Sequence, residues 1–260
     1  MLLFDVGHGQ SLDVYSHTYN GQTHTYLLIS CGSYQPAGET YYWSTQIGRI
    51  EYSANSTLSN SSIKRLTYLN YSNSTGTSFG ATKRVDFAVS TNNNYLLRWK
   101  RSQSDSNQFS GYSLNTINAC FDTSGSNTIS FLSNSQLLNA CTFTFNNPSN
   151  MPTSVQGLEL SNLASGLHSI YITSGNEAKS TMNYKNLIYR YNSAGTYKNS
   201  IQINDAGLWT DYGAGSSYNA VAEIEGCKIS GDYLNYLIRD TNSSYPNRQM
   251  VVKVNKSVLQ

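Results

Sequence analysis

The chain has 260 residues, a formal net charge of +2 at pH 7 and only 12% charged residues. So small a net charge attracts phosphate groups weakly, which argues against nucleic acid as a partner. No apolar run reaches about 18 residues, so no transmembrane helix is predicted. Ser, Thr and Asn replace the charged side chains, a composition that indicates either contact with neutral polymers such as glycans or simple solubility.

The first predicted element is a lone strand over residues 2–6. The last predicted strand, at 250–256, ends a repeat that is one strand short. Because the ends of a closed β-propeller can complete one blade together, we expect residues 2–6 to pair beside 250–256.

Four similar hairpins follow one another along the chain, and each carries a polar residue at the same point of its first strand. These residues are Gln10, Asp86, Gln156 and Glu225, which recur about every 70 residues. The pattern of strand, turn and strand is clearest at 153–174, TSVQGLELSNLASGLHSIYITS. The period predicts repeats at approximately 7–71, 82–147, 153–208 and 222–260, the last completed by 2–6.

Each repeat has a further apolar stretch that predicts a third strand: QIGRIEY at 46–52, TINACFD at 116–122, NLIYRYN at 186–192 and MVVKVNK at 250–256. The first two repeats carry a fourth, IKRLTYLNY at 63–71 and CTFTFNN at 141–147. Units this small bury their apolar faces by stacking around an axis. We therefore predict an all-β fold, a single domain over 1–260 that forms a small β-propeller of about four four-stranded antiparallel blades.

The four polar hairpin residues are predicted to converge around the central channel. Gln10, Asp86, Gln156 and Glu225 could bind a ligand or ion there. Alternatively, they bond to backbone groups of adjacent blades where apolar side chains do not fit. We adopt the structural interpretation.

Three aromatic residues are candidate ligand-binding residues. Trp209 and Tyr212 lie in the stretch 201–219, between Gly207 and Gly213. Trp99 belongs to the basic stretch YLLRWKR at 95–101. An aromatic ring face can pack against the C–H groups of a sugar. The alternatives are a turn or packing role for the first two residues and an ordinary half-buried strand for Trp99.

The sequence contains no recognised catalytic motif. GxSxG, HExxH, Walker and GxGxxG patterns are absent. The four cysteines, Cys31, Cys120, Cys141 and Cys227, fit no zinc spacing, and are either free buried thiols or, for Cys120 and Cys141, a disulfide. Glu223 and Glu225 share one strand face, an unsuitable arrangement for a glycosidase pair. We predict no catalytic residue, no metal and no cofactor.

The hairpin sequences resemble the helveticin J family of large, heat-labile bacteriocins from lactobacilli. The matching stretches are GHGQSLDVYS, WSTQIGRIEYS, IKRLTYLN, TKRVDFAVS, TSVQGLELS with IYITS, and AEIEGCKIS. Other members carry about one more N-terminal repeat, which implies a five-bladed ring if such a repeat is missing here. The family's acidic turn in the third hairpin is replaced by SNLASGLHS, which leaves no basis for a cation site there.

The resemblance implies a secreted or cell-surface antibacterial protein without enzymatic activity. Its partner would be an envelope polysaccharide or glycan of related Gram-positive bacteria. The start of the chain, MLLFDVGHG, lacks the features of a signal peptide. The alternatives are a carbohydrate-binding lectin or adhesin without toxicity and, third, a glycoside hydrolase.

Overall fold

The computed structural model describes residues 1–4, 6, 8, 11–175, 186–203, 222–240 and 249–259. These residues form five sheets, four of which are arranged as the blades of a four-bladed β-propeller, and this confirms the predicted fold class. The elements of each blade are given below in chain order.

The first region contains β1 (Leu2–Phe4), β2 (Leu12–Tyr19), β3 (Gln22–Tyr34), β4 (Trp43–Glu51), β5 (Thr57–Ser59) and β6 (Lys64–Thr67). The second contains β7 (Thr82–Val89), β8 (Tyr95–Ser102), β9 (Asn107–Ser113), α1 (Leu114–Thr123), β10 (Thr128–Ser130), α2 (Ser135–Asn139) and β11 (Cys141–Asn146). The third contains β12 (Gly157–Leu160), β13 (Ser169–Ser174), β14 (Leu187–Asn192) and β15 (Tyr197–Gln202). The fourth contains β16 (Ala222–Ser230), β17 (Tyr233–Asp240) and β18 (Gln249–Asn255). Short 3-10 turns lie at Asn60–Ser62, Leu69–Tyr71 and Lys256–Leu259.

Each blade is built mainly from antiparallel neighbours, with its first strand at one edge. Blade 1 has the order β10-β6-β4-β3-β2, in which β10 joins β6 in parallel. Blade 2 is β11-β9-β8-β7, blade 3 is β12-β13-β14-β15, and the described strands of blade 4 are β16-β17-β18. First strands of neighbouring blades contact each other, as β7 with β12 and β12 with β16 do.

The apolar core lies between the blades because alternate residues of a strand point to opposite sides. On β7, Val85, Phe87 and Val89 pack into the cluster shared with blade 1. Ala88, the neighbour on the other face, packs into the cluster shared with blade 3. A further cluster joins blades 3 and 4. Each blade therefore stabilises the next through side chains that it could not bury alone.

The predicted pairing of residues 2–6 beside 250–256 is wrong. Strand β1 pairs in parallel with β5, with Leu3 opposite Leu58. Leu3 and Val6 pack against an apolar cluster of blade 1 that contains Ile29 and Ile63. The start of the chain therefore packs against blade 1 and not against the last strand.

The predicted strand at 116–122 is also wrong, because this stretch lies in helix α1. The helix begins after Ser113, whose side chain accepts a hydrogen bond from the Thr116 amide as an N-cap. Leu114, Ile117 and Phe121 are buried, and their spacing of three and four residues is that of one helix face. Blade 2 takes its outer strands from β9 and β11 instead.

All four cysteines are free thiols, so the disulfide alternative for Cys120 and Cys141 is wrong. Cys120 lies on α1 and Cys141 on β11. The predicted neighbouring strands do not exist, because the first of the two stretches is helical. Burial raises the pKa of both thiols, which keeps them protonated at neutral pH.

Candidate functional site

A cleft of about 510 Å³ opens at one end of blade 1. The β2–β3 hairpin, the end of β4, the start of β6 and helix α1 all contribute to its lining. Its volume lies within the range of small-ligand sites, about 300–1,000 Å³. We call this site the blade 1 cleft.

The β2–β3 turn forms one wall of the blade 1 cleft. Asn20 and Gly21 both have positive φ, 50° and 76°, as a two-residue type I′ hairpin turn requires. The strands then pair in register, with Tyr19 opposite Gln22 and His17 opposite His24. This tight turn holds Tyr19 at the mouth of the cleft with its side chain 38% exposed.

The floor of the cleft is a buried ion pair between blade 1 and helix α1. The Arg49 guanidinium lies 4.4 Å from the Tyr26 ring centroid and 4.7 Å from that of Phe121. Its Nη2 donates to Asp122 Oδ1 at 2.6 Å, and His17 Nε2 lies 2.8 Å from Asp122 Oδ2. Both carboxylate oxygens of Asp122 are therefore engaged, and stacking fixes the guanidinium.

A second layer of hydrogen bonds holds this floor in place. Asn118 Oδ1, one turn before Asp122 on α1, accepts from Arg49 Nη1 at 3.2 Å and from the Tyr15 hydroxyl at 2.5 Å. Burial raises the pKa of Tyr15 and of Tyr26, so both phenols stay protonated at neutral pH. The floor is consequently rigid before any ligand arrives.

The rim of the cleft is more exposed and more polar. His24 Nδ1 lies 2.8 Å from Glu51 Oε1, and the Glu51 side chain is 59% exposed. Lys64 Nζ donates to the carbonyls of Phe121 and Ser124 at 2.7 and 3.0 Å, where a cation offsets the negative end of helix α1. The cations Arg49 and Lys64 match the anions Glu51 and Asp122 of the lining in number.

The sequence-predicted aromatic residues do not line the described part of this cleft. Trp99 is 1% exposed and belongs to the cluster between blades 2 and 3, and its Nε1 donates to Asn107 Oδ1 at 3.0 Å. Trp209 and Tyr212 lie outside the described residues. A ligand-binding role for these three residues stays a prediction.

Two of the predicted channel residues have described partners. Asp86 accepts from Ser11 Oγ at 3.1 Å and from Arg84 Nε at 2.7 Å, and burial raises its pKa against the opposing effect of Arg84. Gln156 Nε2 donates to the Gly175 carbonyl at 3.0 Å. Gln10 lies outside the described residues, so the ring of four stays a prediction.

The equivalent position three residues later joins the blades directly. It is occupied by Asp13, Val89, Glu159 and Lys228. Asp13 is ion-paired with Lys228 and accepts from the Val89 amide at 2.6 Å. Lys228 Nζ lies 3.4 Å from Glu159 Oε2, which also accepts from the Ile229 amide at 3.1 Å. Burial raises the pKa of Glu159 to about 7. We call these residues the channel cluster.

Sequence reasoning missed the residues of the blade 1 cleft. One available signal was Arg49, a charged residue between the apolar residues Ile47 and Ile50 of the strand QIGRIEY. Another was the pair of histidines placed symmetrically about the Asn20–Gly21 turn. The sequence did not indicate a role for Asp122, because the stretch 116–122 was predicted to be a strand.

Together, the fold and the cleft define a four-bladed β-propeller with a polar, aromatic cleft on one blade. Residues 1–254 match the family model described as bacteriocin helveticin-J, and the chain therefore belongs to this family. The resemblance drawn from the hairpins is thus confirmed. None of the curated proteins matches the chain.

Family membership indicates a bacteriocin and therefore secretion. In the described part of the chain, no helix has the length and apolarity needed to span a membrane. Nor do the same residues contain a group of three or more His, Cys, Asp or Glu side chains placed to hold a metal ion.

Proposed function

We propose that this bacteriocin attaches to the envelope of target Gram-positive cells by binding a neutral surface glycan in the blade 1 cleft, without enzymatic activity. The observation that carries the proposal is that the charged side chains of the cleft are paired, Arg49 with Asp122 and His24 with Glu51, around an exposed ring, Tyr19, and a buried ring, Tyr26. Such a site offers ring faces for the C–H groups of a sugar and fixed polar groups for its hydroxyls.

The exposed rim supplies the groups that would contact the sugar. Tyr19 presents a ring at the mouth, and Asn20 and Gln22 add side-chain amides beside it. Glu51 and His24 provide an acceptor and a donor that are already aligned with each other at 2.8 Å. Because Arg49 and Asp122 fix the floor beneath them, little ordering is required on binding, which favours affinity.

The engagement of the carboxylates supports a binding role over hydrolysis. Glycoside hydrolysis by two carboxyl groups requires one free to act as acid and another as base or nucleophile. Asp122 is held by Arg49 and His17, and Glu51 is paired with His24. The same geometry would equally serve a lectin or adhesin without toxicity, so killing must be measured separately from binding.

Calorimetric titration with envelope polysaccharide purified from lactobacilli tests the proposal. Tyr19→Ala removes the exposed ring and is expected to weaken binding about tenfold, equivalent to about 1.4 kcal/mol. Tyr233→Ala, which removes a 40% exposed tyrosine from blade 4, is the matched control and should bind normally. Unchanged binding by Tyr19→Ala would reject the cleft as the site.

Viability and sugar release, measured on the same preparations, separate the three functions. A bacteriocin reduces the viable count of lactobacilli, and Tyr19→Ala should reduce it less. Binding without loss of viability would indicate a lectin or adhesin. Release of reducing sugar would indicate a glycoside hydrolase.

A further inference from the structure

A second group of aromatic rings, all exposed except the half-buried Trp43, lies at the other end of blade 1. It consists of His8, Tyr34, Tyr41, Tyr42 and Trp43, and we call it the aromatic platform. The His8 ring centroid is 5.8 Å from that of Tyr41 and 5.3 Å from that of Trp43, and Tyr41 and Trp43 are 6.2 Å apart. Tyr41 and Tyr42 are 59% and 54% exposed.

Blade 2 supports the aromatic platform from beneath. The Arg84 guanidinium lies between two indoles, 4.6 Å from the ring of Trp43 and 5.1 Å from that of Trp99. Trp43 Nε1 donates to Glu39, which is ion-paired with Lys83 at 2.6 Å. The platform rings lie at or next to the β3–β4 loop of blade 1. Residues of blade 2 also hold them in place.

Hydrogen bonding also fixes the edge of the platform. Gln103 Nε2, from the β8–β9 turn of blade 2, donates to the Tyr34 hydroxyl at 2.7 Å. The His8 amide donates to the Tyr42 carbonyl at 2.7 Å. These bonds tie Tyr34 to blade 2 and the end of the β3–β4 loop to His8.

The charges around the platform cancel. Lys83 pairs with Glu39 and Asp105, Arg101 pairs with Asp105 at 2.9 Å, and Arg84 pairs with Asp86 at 2.7 Å. Three cations therefore match three anions. An anionic lipid surface or a phosphate would meet no excess of positive charge, whereas a neutral, hydroxyl-rich ligand would meet ring faces and polar edges.

We propose that the aromatic platform is a second binding site for a neutral glycan, stacked on Tyr41 and Trp43. The choice of a neutral glycan as the ligand rests on the proposed function. The residues of the platform, however, are different from those of the blade 1 cleft. Strand β3 starts near the cleft at Gln22 and ends on the platform at Tyr34, and β4 runs back from Trp43 to Glu51.

The two sites therefore lie on opposite faces of the ring. His24 and Tyr34 are separated by ten residues of one strand, or about 33 Å. A short oligosaccharide cannot span that distance. One molecule is thus expected to bind two separate polysaccharide chains and to bridge them.

The test measures stoichiometry and bridging with a short oligosaccharide prepared from the same lactobacillus polysaccharide. Calorimetry should give two sites per chain for the wild type and one site for the double variant Tyr41→Ala/Tyr42→Ala. Beads coated with the polysaccharide should aggregate with wild-type protein, and aggregation should be lost in the double variant. Tyr233→Ala should behave as wild type, and circular dichroism checks that each variant is folded.

The outcomes distinguish failure of each site. If the double variant keeps two sites and still aggregates beads, the platform proposal is overturned. If Tyr19→Ala has no effect while the double variant loses a site, the cleft is wrong and the platform stands. If the wild type binds no oligosaccharide, both proposals are wrong.

Discussion

The two ends of blade 1 differ in how aromatic and charged side chains are held. In the blade 1 cleft, Tyr26 is 5% exposed and the ion pair of Arg49 and Asp122 is buried with it, so this part of the site is recessed. On the aromatic platform, Tyr41 is 59% exposed and the charges lie under the ring layer, in blade 2. The same pair of strands therefore carries a pocket at one end and a flat surface at the other. The difference shows that the neighbouring element determines the shape of each site: helix α1 at the blade 1 cleft and blade 2 at the aromatic platform.

The largest expected effect is at the cleft floor. Arg49→Met leaves Asp122 buried with only His17 as a partner, and is expected to lower the free energy of unfolding by about 3–5 kcal/mol. Urea unfolding followed by circular dichroism measures it. The control Arg101→Met removes a side chain that is 30% exposed in its ion pair, and should cost less than about 1 kcal/mol. Equal losses for the two variants would show that the floor is not a buried ion pair.

A smaller effect is expected beneath the platform. Arg84→Lys keeps the charge but removes the planar group between Trp43 and Trp99, and should cost about 1–2 kcal/mol of stability. It should also weaken oligosaccharide binding at the platform, measured in the Tyr19→Ala background. Cleft binding, measured in the Tyr41→Ala/Tyr42→Ala background, should be unchanged. Loss of cleft binding instead would mean that the two ends are not independent.

A pH-dependent effect concerns the channel cluster, which lies outside both sites. Burial raises the pKa of Glu159 to about 7 in the folded protein, whereas the pKa of an unfolded glutamate is about 4.3. Ionisation of Glu159 therefore destabilises the folded state. The free energy of unfolding should fall as the pH rises from about 4.3 to about 7.

Comparison of wild type with Glu159→Gln isolates this contribution. The variant should lack that part of the pH dependence and should gain stability relative to wild type above pH 7. Glycan binding at both sites should be the same in the two proteins. A wild-type stability that rises relative to the variant over the same pH range would contradict the assignment.

The sequence predicts the strands well because the alternation of apolar and polar residues that marks a strand is visible within a few consecutive residues. Alternation at 153–174 identifies β12 and β13, and the recurrence of that pattern identifies the blades. The same local reading fails at TINACFD, where a short apolar run fits a strand and a helix alike. Only the burial of Leu114, Ile117 and Phe121 on one side reveals the helical period.

The sites were far less predictable than the fold. His17 and Asp122 are 105 residues apart and meet only because α1 packs on blade 1. The aromatic platform likewise depends on Arg84 reaching across from blade 2 to Trp43. The repeat predicts polar residues at the channel, and the ion pair that links the first and last blades, Asp13 with Lys228, lies three residues after Gln10 and Glu225.

The ion pair between Asp13 and Lys228 links residues 215 positions apart. During synthesis, blade 1 can assemble fully once β10 has emerged, whereas the ring stays open until the last blade supplies its lysine. Closing so long a loop costs conformational entropy before the contacts that stabilise the closed ring can form. We therefore expect ring closure to be the final and slowest step of folding.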